Sequence, residues 1–311
     1  MQTETKIDFA VGGQAVIEGV MMRSPNFYTI AVRNEAGELK TKQAEFKSIL
    51  DKFPVLKIPL LRGMVHLVES MTIGIRSLNY SNSVFVGEDE KKEEKGFVKV
   101  VFLILGVIYT IGSLGFTLFL MKVLPLWIAD QAAHTWSFVE DHYIVYNLID
   151  GFTKISLFLG YILLISLVKD IRRVFQYHGA EHKSIWAYEK GLELTVENAR
   201  KQTRFHPRCG TSFIFIVILM SVLIYTLFPS PDAFWAKLAI RIAVIPLIAG
   251  LSYELLKASA KWQNNMVMRL FVLPGLFFQK LTTKEPDDKQ LEVALLALKE
   301  SLAVEKTLAP A

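Results

Sequence analysis

Tyr177-His178-Gly179-Ala180-Glu181-His182-Lys183 sets two imidazoles four residues apart with a carboxylate between them. On a helix, positions i and i+4 lie one above the other on a single face. His178 and His182 can then offer a ring nitrogen each to one divalent metal. Glu181, three residues after His178, is placed to act as a general base beside that metal.

Two histidines alone do not hold zinc; a third or fourth protein ligand is needed. Phe205-His206-Pro207-Arg208-Cys209-Gly210 supplies an imidazole, His206, and a thiol, Cys209. Cys209 stands beside Arg208 and at the start of a helix, both of which favour a thiolate. The order H-x-x-E-H is the signature of the inverted zinc peptidases, which complete their site with a downstream glutamate. Glu254, 72 residues after His182, is the candidate here. Each residue also has a plainer use. A histidine pair in a basic loop binds lipid phosphate or makes hydrogen bonds, and His206 and Cys209 fit a helix entry. Glu254 has Lys257 three residues on as a local ion partner.

The elements that must position these groups lie in an apolar chain. Of 311 residues, 52% are hydrophobic, the mean hydropathy is +0.33, and the apolar residues come in blocks. Four blocks approach or exceed the about 20 residues that cross a bilayer: Phe97 to Met121, Leu148 to Val168, Thr211 to Phe228 and Trp235 to Leu256. The expected fold is mainly α, a polytopic membrane protein with four transmembrane helices and a small cytoplasmic α/β N-terminal module.

Lys and Arg set the orientation. They crowd the loop between spans two and three, from Lys169 to Arg208. They also precede span one (Lys91, Lys92, Lys95, Lys99) and follow span four (Lys257, Lys261, Arg269). Both termini and the His178 loop are therefore expected in the cytoplasm of a multi-pass cell-membrane protein. Lys237 and Arg241, at the outer end of span four, are expected to snorkel to the headgroups. No basic region followed by an apolar core marks a signal peptide in the first ~90 residues. The net charge of +5 fits an anionic bilayer surface. No arginine-rich tract or aromatic signature calls for nucleic acid. The single cysteine leaves no intrachain disulfide and fits a reducing compartment.

Three regions follow. Residues 1–95 form a cytoplasmic module. It has strands at Phe27–Arg33 and Glu38–Phe46 around the turn Asn34–Gly37, and an amphipathic helix from Leu60 to Tyr80 lying on the membrane or the bundle. A charged linker runs from Glu88 to Lys95. Residues 96–256 form the four-span domain. Its loop at 169–210 is expected to extend span two as a helix to about Tyr188, end at Gly191 and restart with Thr195 as an N-cap. Residues 257–311 are a helical tail, with an interfacial helix from Trp262 to Gln279 broken at Pro274-Gly275 and a soluble amphipathic helix from Asp287 to Glu305.

Gly12-Gly13-Gln14-Ala15-Val16-Ile17-Glu18-Gly19-Val20-Met21-Met22-Arg23 is the second unusual segment. Paired glycines allow close backbone approach, either as a turn packed on the bundle or as a flap over the histidines. No Gly-Lys-Ser/Thr follows, so it is not a phosphate loop. Inside the spans, ionisable residues fall only near the ends (Asp150, Lys154, Arg241, Glu254), which argues against a proton- or ion-coupled carrier.

These segments together resemble the YqhQ-like family of bacterial membrane proteins, a domain of unknown function described as predicted metal-dependent enzymes. The resemblance runs from about Gly12 to Leu298. It rests on the Gly12–Arg23 segment, Arg62-Gly63, the Tyr177–Lys183 motif, Thr195-Val196-Glu197-Asn198, Phe205–Ser212 and Glu285-Pro286-Asp287-Asp288. It implies metal dependence and names no substrate or reaction.

The reading is a divalent metal, zinc by its donors, at the cytoplasmic membrane face. His178 and His182 hold it with Glu254, Cys209 or His206, and Glu181 is the base for hydrolysis of a peptide or lipid-linked bond. The alternative is a non-catalytic scaffold or assembly factor, docking a cytoplasmic or membrane partner and holding at most a structural metal.

Overall fold

The computed structural model describes residues 11–87, 97–228, 233–261 and 265–308. The linker expected at Glu88–Lys95 and the tail's Trp262 lie outside the described residues.

Four antiparallel strands form a meander in the order β1 (Gly12–Val16), β2 (Gly19–Arg23), β3 (Phe27–Arg33) and β4 (Leu39–Glu45). The β3–β4 turn is the expected one, with Gly37 at φ 86° and Asn34 Oδ1 accepting from the Glu38 N–H at 2.8 Å. The unusual N-terminal segment is the β1–β2 hairpin, closed by the pair Val16 and Gly19. Glu18, in that turn, adopts φ 47°. Its carboxylate takes the Arg173 guanidinium and the Tyr177 hydroxyl, which pins the hairpin tip to the helix carrying the histidines.

Side chains alternate across a strand, and the sheet uses both faces. Val20, Met22 and Ala31 pack toward α7 (Lys169–Glu189) and α13 (Asp288–Leu308), joining Tyr177, Ala180, Leu291, Leu295 and Leu298 in one core. Val16, Met21, Ile30 and Val32 turn the other way, onto Ile73 of α2 (Leu61–Val86). The expected soluble C-terminal helix is therefore a core element, its apolar face spent on β2, β3 and α7. At the start of α2, α1 (Ile49–Lys52) and a 3-10 turn at Pro54–Lys57 complete this part.

The apolar helices form the second part. α3 (Phe97–Leu118) runs through a π-helical turn at Phe119–Val123 into α4 (Leu124–Thr135), then α5 (Ser137–Asp141) turns the chain into α6 (Tyr143–Ile165). The basic loop holds α7 and α8 (Val196–Arg200). Next come α9 (Gly210–Leu227), α10 (Phe234–Ala243), α11 (Ile245–Lys261) and α12 (Met266–Thr282). Ile104–Thr135, Tyr143–Ile165 and Gly210–Leu227 are each long and apolar enough to cross a membrane. A fourth is added if α10 and α11, bent by 44°, count as one span. This pattern is consistent with a membrane protein.

Four local expectations change. The first apolar helix continues past Met121 to Thr135. The second does not run on into the histidines: Val168 is extended (ψ 125°) and α7 starts afresh at Lys169. Lys237 and Arg241 do not snorkel, because each meets a carboxylate: Lys237 pairs with Asp130 at 2.5 Å and Arg241 with Asp150 at 2.7 Å. Pro274 sits inside α12 without ending it.

Candidate metal centre

α7 is clamped between two segments that lead out of helix ends, those of α8 and α12, and the clamp aims the histidines. On one side, three of its side chains hold carbonyls of the 200–205 stretch. Lys183 Nζ donates to Arg200 O (3.0 Å), His182 Nδ1 to Arg204 O (2.6 Å) and Trp186 Nε1 to Phe205 O (2.8 Å). On the other side lies the 282–285 stretch. His178 Nδ1 donates to Thr282 O (2.8 Å), and Phe175 O accepts from the Lys284 N–H (2.8 Å). Gly179 faces the Lys284 carbonyl so closely that a Cβ has no room, which explains the glycine inside the motif.

Both imidazoles thus spend Nδ1–H on a backbone carbonyl and leave Nε2 to face Cys209. This is the outer-shell arrangement that orients metal-ligating histidines. The rings lie 4.4 Å apart, and His178 Nε2 is 3.2 Å from Cys209 Sγ. One donor atom from each of His178, His182 and Cys209 lies within 4.8 Å of the others, with His182 and Cys209 buried and His178 partly so. Cys209 is the N-cap of α9, its sulfur accepting from Thr211 N–H at 3.4 Å. An N,N,S set of this spacing is one that could hold a divalent metal ion.

Glu181 is buried beside this set, 5% exposed. Burial pushes its carboxyl above the usual range, against the opposing pull of His178, His206 and a hydrogen bond from the Gly13 N–H. A Cβ on Gly13 would lie 2.7 Å from Glu181 Cγ, so the glycine lets edge strand β1 close over the carboxylate. His182 is pushed down by desolvation first and by His178 next. A cavity of about 560 Å³ opens over the cluster, lined by Glu181, Gly13, Arg208 and apolar side chains of α6, α7 and α9.

The other two candidate ligands are placed differently. His206 lies near, its ring 5.7 Å from that of His182, but both its nitrogens are in use. Nδ1 accepts from the Arg208 N–H at 3.3 Å, and Nε2 faces Glu189 at 3.3 Å. Burial lowers its pKa to about 4, so at neutral pH the Glu189 contact is a hydrogen bond from a neutral ring. Arg208 pairs with Glu189 and balances its charge. Glu254 stands apart from the cluster. Its two oxygens take a fork from Arg62, Nε at 2.6 Å and Nη2 at 2.5 Å. The expected partner Lys257 is not the one it meets, because α2 packs on α11 and brings Arg62 across 192 residues of sequence.

Some supporting groups were invisible in the sequence because they are backbone atoms: the Thr282 and Arg204 carbonyls and the Gly13 N–H. Gln279 also escaped notice. Its side chain accepts from His206 N–H (2.8 Å) and donates to His206 O (2.7 Å), fixing the turn that presents Cys209. The polar residue inside an apolar helix was the available signal.

Fold and site define a mainly helical protein with a four-stranded N-terminal sheet and a largely buried His/His/Cys cluster. The family model DUF1385, described as a protein of unknown function, matches residues 58–304. The chain is 37% identical over 306 residues to the uncharacterized protein YqhQ of Bacillus subtilis (strain 168), spanning 96% of this chain and 94% of that protein. The chain therefore belongs to the DUF1385 family, and the resemblance to YqhQ-like proteins holds. No solved structure matches.

Proposed function

We propose that the protein is a multi-pass membrane hydrolase with a zinc centre at the cytoplasmic membrane face. His178, His182 and Cys209 are the ligands and Glu181 is the general base. The observation that carries this is the pair of Nε2 atoms, each set by an Nδ1–H bond to a carbonyl, converging on one sulfur. Bound zinc supplies Lewis acidity, polarising a carbonyl or phosphoryl oxygen and lowering the pKa of water.

The chain's own groups do the rest. Glu181, raised by burial, is moved toward the range in which a carboxylate takes up and returns a proton near neutral pH. Gly13 N–H orients that carboxylate. The apolar wall of the cavity, Phe158, Ile162, Val174 and Ile214, excludes water from an acyl or peptide group. Membrane placement is supported by the three or four apolar helices, and orientation by the Lys and Arg crowding of the 169–210 loop.

Metal analysis of full-length protein tests the reading, with turnover screened on peptide and lipid-linked ester or amide substrates. Wild type should hold zinc near one per chain. Glu181→Gln should hold the same amount and lose turnover, and His178→Ala should lose both. A stable partner crosslinked from the 169–210 loop, together with full complementation by Glu181→Gln, would favour the scaffold alternative, with a structural metal.

A further inference from the structure

A second set of charges is buried where α4, α6, α9 and α10 meet. It centres on Tyr225, 16 residues along α9 from Cys209, about 24 Å by helical rise. Asp150 is fully buried, and its Oδ2 meets both Lys154 Nζ at 2.5 Å and Arg241 Nη1 at 2.7 Å. Its Oδ1 has no hydrogen-bond partner among the described residues. Arg241 Nη2 also donates to Asn147 Oδ1 at 2.7 Å. Three cations surround the Tyr225 ring, with Arg241 Cζ at 4.4 Å, Lys154 Nζ at 5.1 Å and Lys122 Nζ at 5.9 Å from its centroid.

Lys122 donates to the Tyr225 hydroxyl at 3.2 Å, and among the described residues no carboxylate pairs with it. Lys122, Lys154 and Arg241 therefore share Asp150 alone among the described residues, three basic groups against one carboxylate. Asp130 offers no spare charge, being held by Lys237 at 2.5 Å. Ionisable groups in apolar helices are costly and go with ligands or ion paths. Two breaks in regular helix meet at this point, as they do in many sites. The π-helical turn at Phe119–Val123 carries Lys122, and the bend after Val244 follows Arg241.

Depth narrows the choice of ligand. Lys122 lies 25 residues from Phe97, the start of α3; that is about 38 Å by helical rise, just beyond a hydrocarbon core of about 30 Å. Trp127, Trp136 and Trp235 on the adjoining elements are 51%, 61% and 74% exposed, as interfacial tryptophans are. Lys122 is half-buried, so it is the member that an incoming anion reaches.

We propose that Lys122, with Arg241, Lys154 and the Tyr225 hydroxyl, binds a phosphate group at the outer end of the bundle, from a phospholipid headgroup or from free phosphate. Guanidinium, ammonium and hydroxyl donors match phosphate oxygens, and one phosphate would pair with the basic groups that Asp150 leaves over. The proposal rests on the membrane placement above and is independent of the metal centre.

The test uses the full-length protein in detergent, with binding read by thermal shift and native mass spectrometry. Three probes are compared: phosphatidylglycerol, a diacylglycerol of the same chains, and inorganic phosphate. A phosphate-bearing probe should bind wild type and bind Lys122→Gln and Tyr225→Phe at least tenfold more weakly, while Lys122→Arg stays near wild type. A response to phosphatidylglycerol alone assigns the lipid source, and a response to inorganic phosphate assigns the solute; either supports the site. Equal binding to wild type and Lys122→Gln, or equal binding of diacylglycerol, overturns it. Recovery of wild type in the soluble fraction after cell breakage would instead overturn the membrane placement, before any probe is added.

Discussion

His178 Nε2 lies 3.2 Å from Cys209 Sγ across 31 residues of sequence. The contact exists because α7 binds the carbonyls of the intervening chain and Gln279 fixes the turn before α9. The sulfur is thereby delivered to the one face of α7 where both histidines present Nε2.

If this sulfur is a ligand, removing it should weaken the site, because zinc takes thiolate. Cys209→Ala should bind zinc at least tenfold more weakly than wild type, measured against a competing chelator. Equal zinc affinity of both proteins would remove Cys209 from the ligand set.

Gly13 tests the base rather than the metal. A Cβ there would lie 2.9 Å from Glu181 Cδ, so Gly13→Val must displace the carboxylate or the strand. Displacements near 1 Å cost on the order of 100-fold in rate. The variant should lose turnover on that scale while zinc per chain stays unchanged; loss of zinc together with turnover would contradict the separation of roles.

Gln279→Leu leaves the His206 N–H and C=O buried without their partner. Each unpaired group costs about 1–3 kcal/mol, and second-layer losses weaken metal binding by about 10–100-fold. Both a lower Tm and weaker zinc retention are expected against a competing chelator. Gln279→Glu, which keeps the acceptor and loses the donor, should fall between wild type and leucine.

Acid should weaken the metal-free fold through His206. Its pKa is lowered from 6.5 to about 4 by burial, so between those values the unfolded chain binds a proton there and the folded chain does not. Stability from this residue is thus present above pH 6.5 and lost as pH falls toward 4. His182 acts in the same direction. Glu181, raised by burial, opposes both, since its stabilising share fades as pH rises past 4.5. Comparing wild type with His206→Gln isolates one residue: between pH 7 and 5 wild type should lose about 2 kcal/mol more than the variant. Parallel pH profiles by denaturant melts of chelated protein would contradict this.

The parts of the molecule legible in its sequence were those with local causes. Asn34–Gly37 forecast the β3–β4 turn, Thr195 capped α8 as expected through its hydroxyl to Asn198 N–H, and Gly191 ended α7 with φ 64°. The i, i+4 histidines were legible because helical spacing alone unites them. What escaped depends on distant partners. Glycine-rich Gly12–Val16 becomes a strand only through pairing with β2. Glu254 was placed by chain order, whereas its true neighbour is set by α2 packing on α11, with Gly63 against Tyr253. Arg241 resembled a snorkelling end residue until Asp150 was brought to it from α6.

The Arg62–Glu254 fork gives a separate check on the ligand set. The pair is partly exposed, 30% and 23%, so Glu254→Gln should cost about 1 kcal/mol or less. Its zinc content should equal that of wild type; a drop to half or below would restore Glu254 as a ligand.

The most direct test of the central claim is zinc per chain in purified full-length wild type, His178→Ala and Glu181→Gln, measured by elemental mass spectrometry. The account predicts near one zinc in wild type and in Glu181→Gln, and near none in His178→Ala. Wild type without stoichiometric divalent metal, or His178→Ala with as much as wild type, would contradict it.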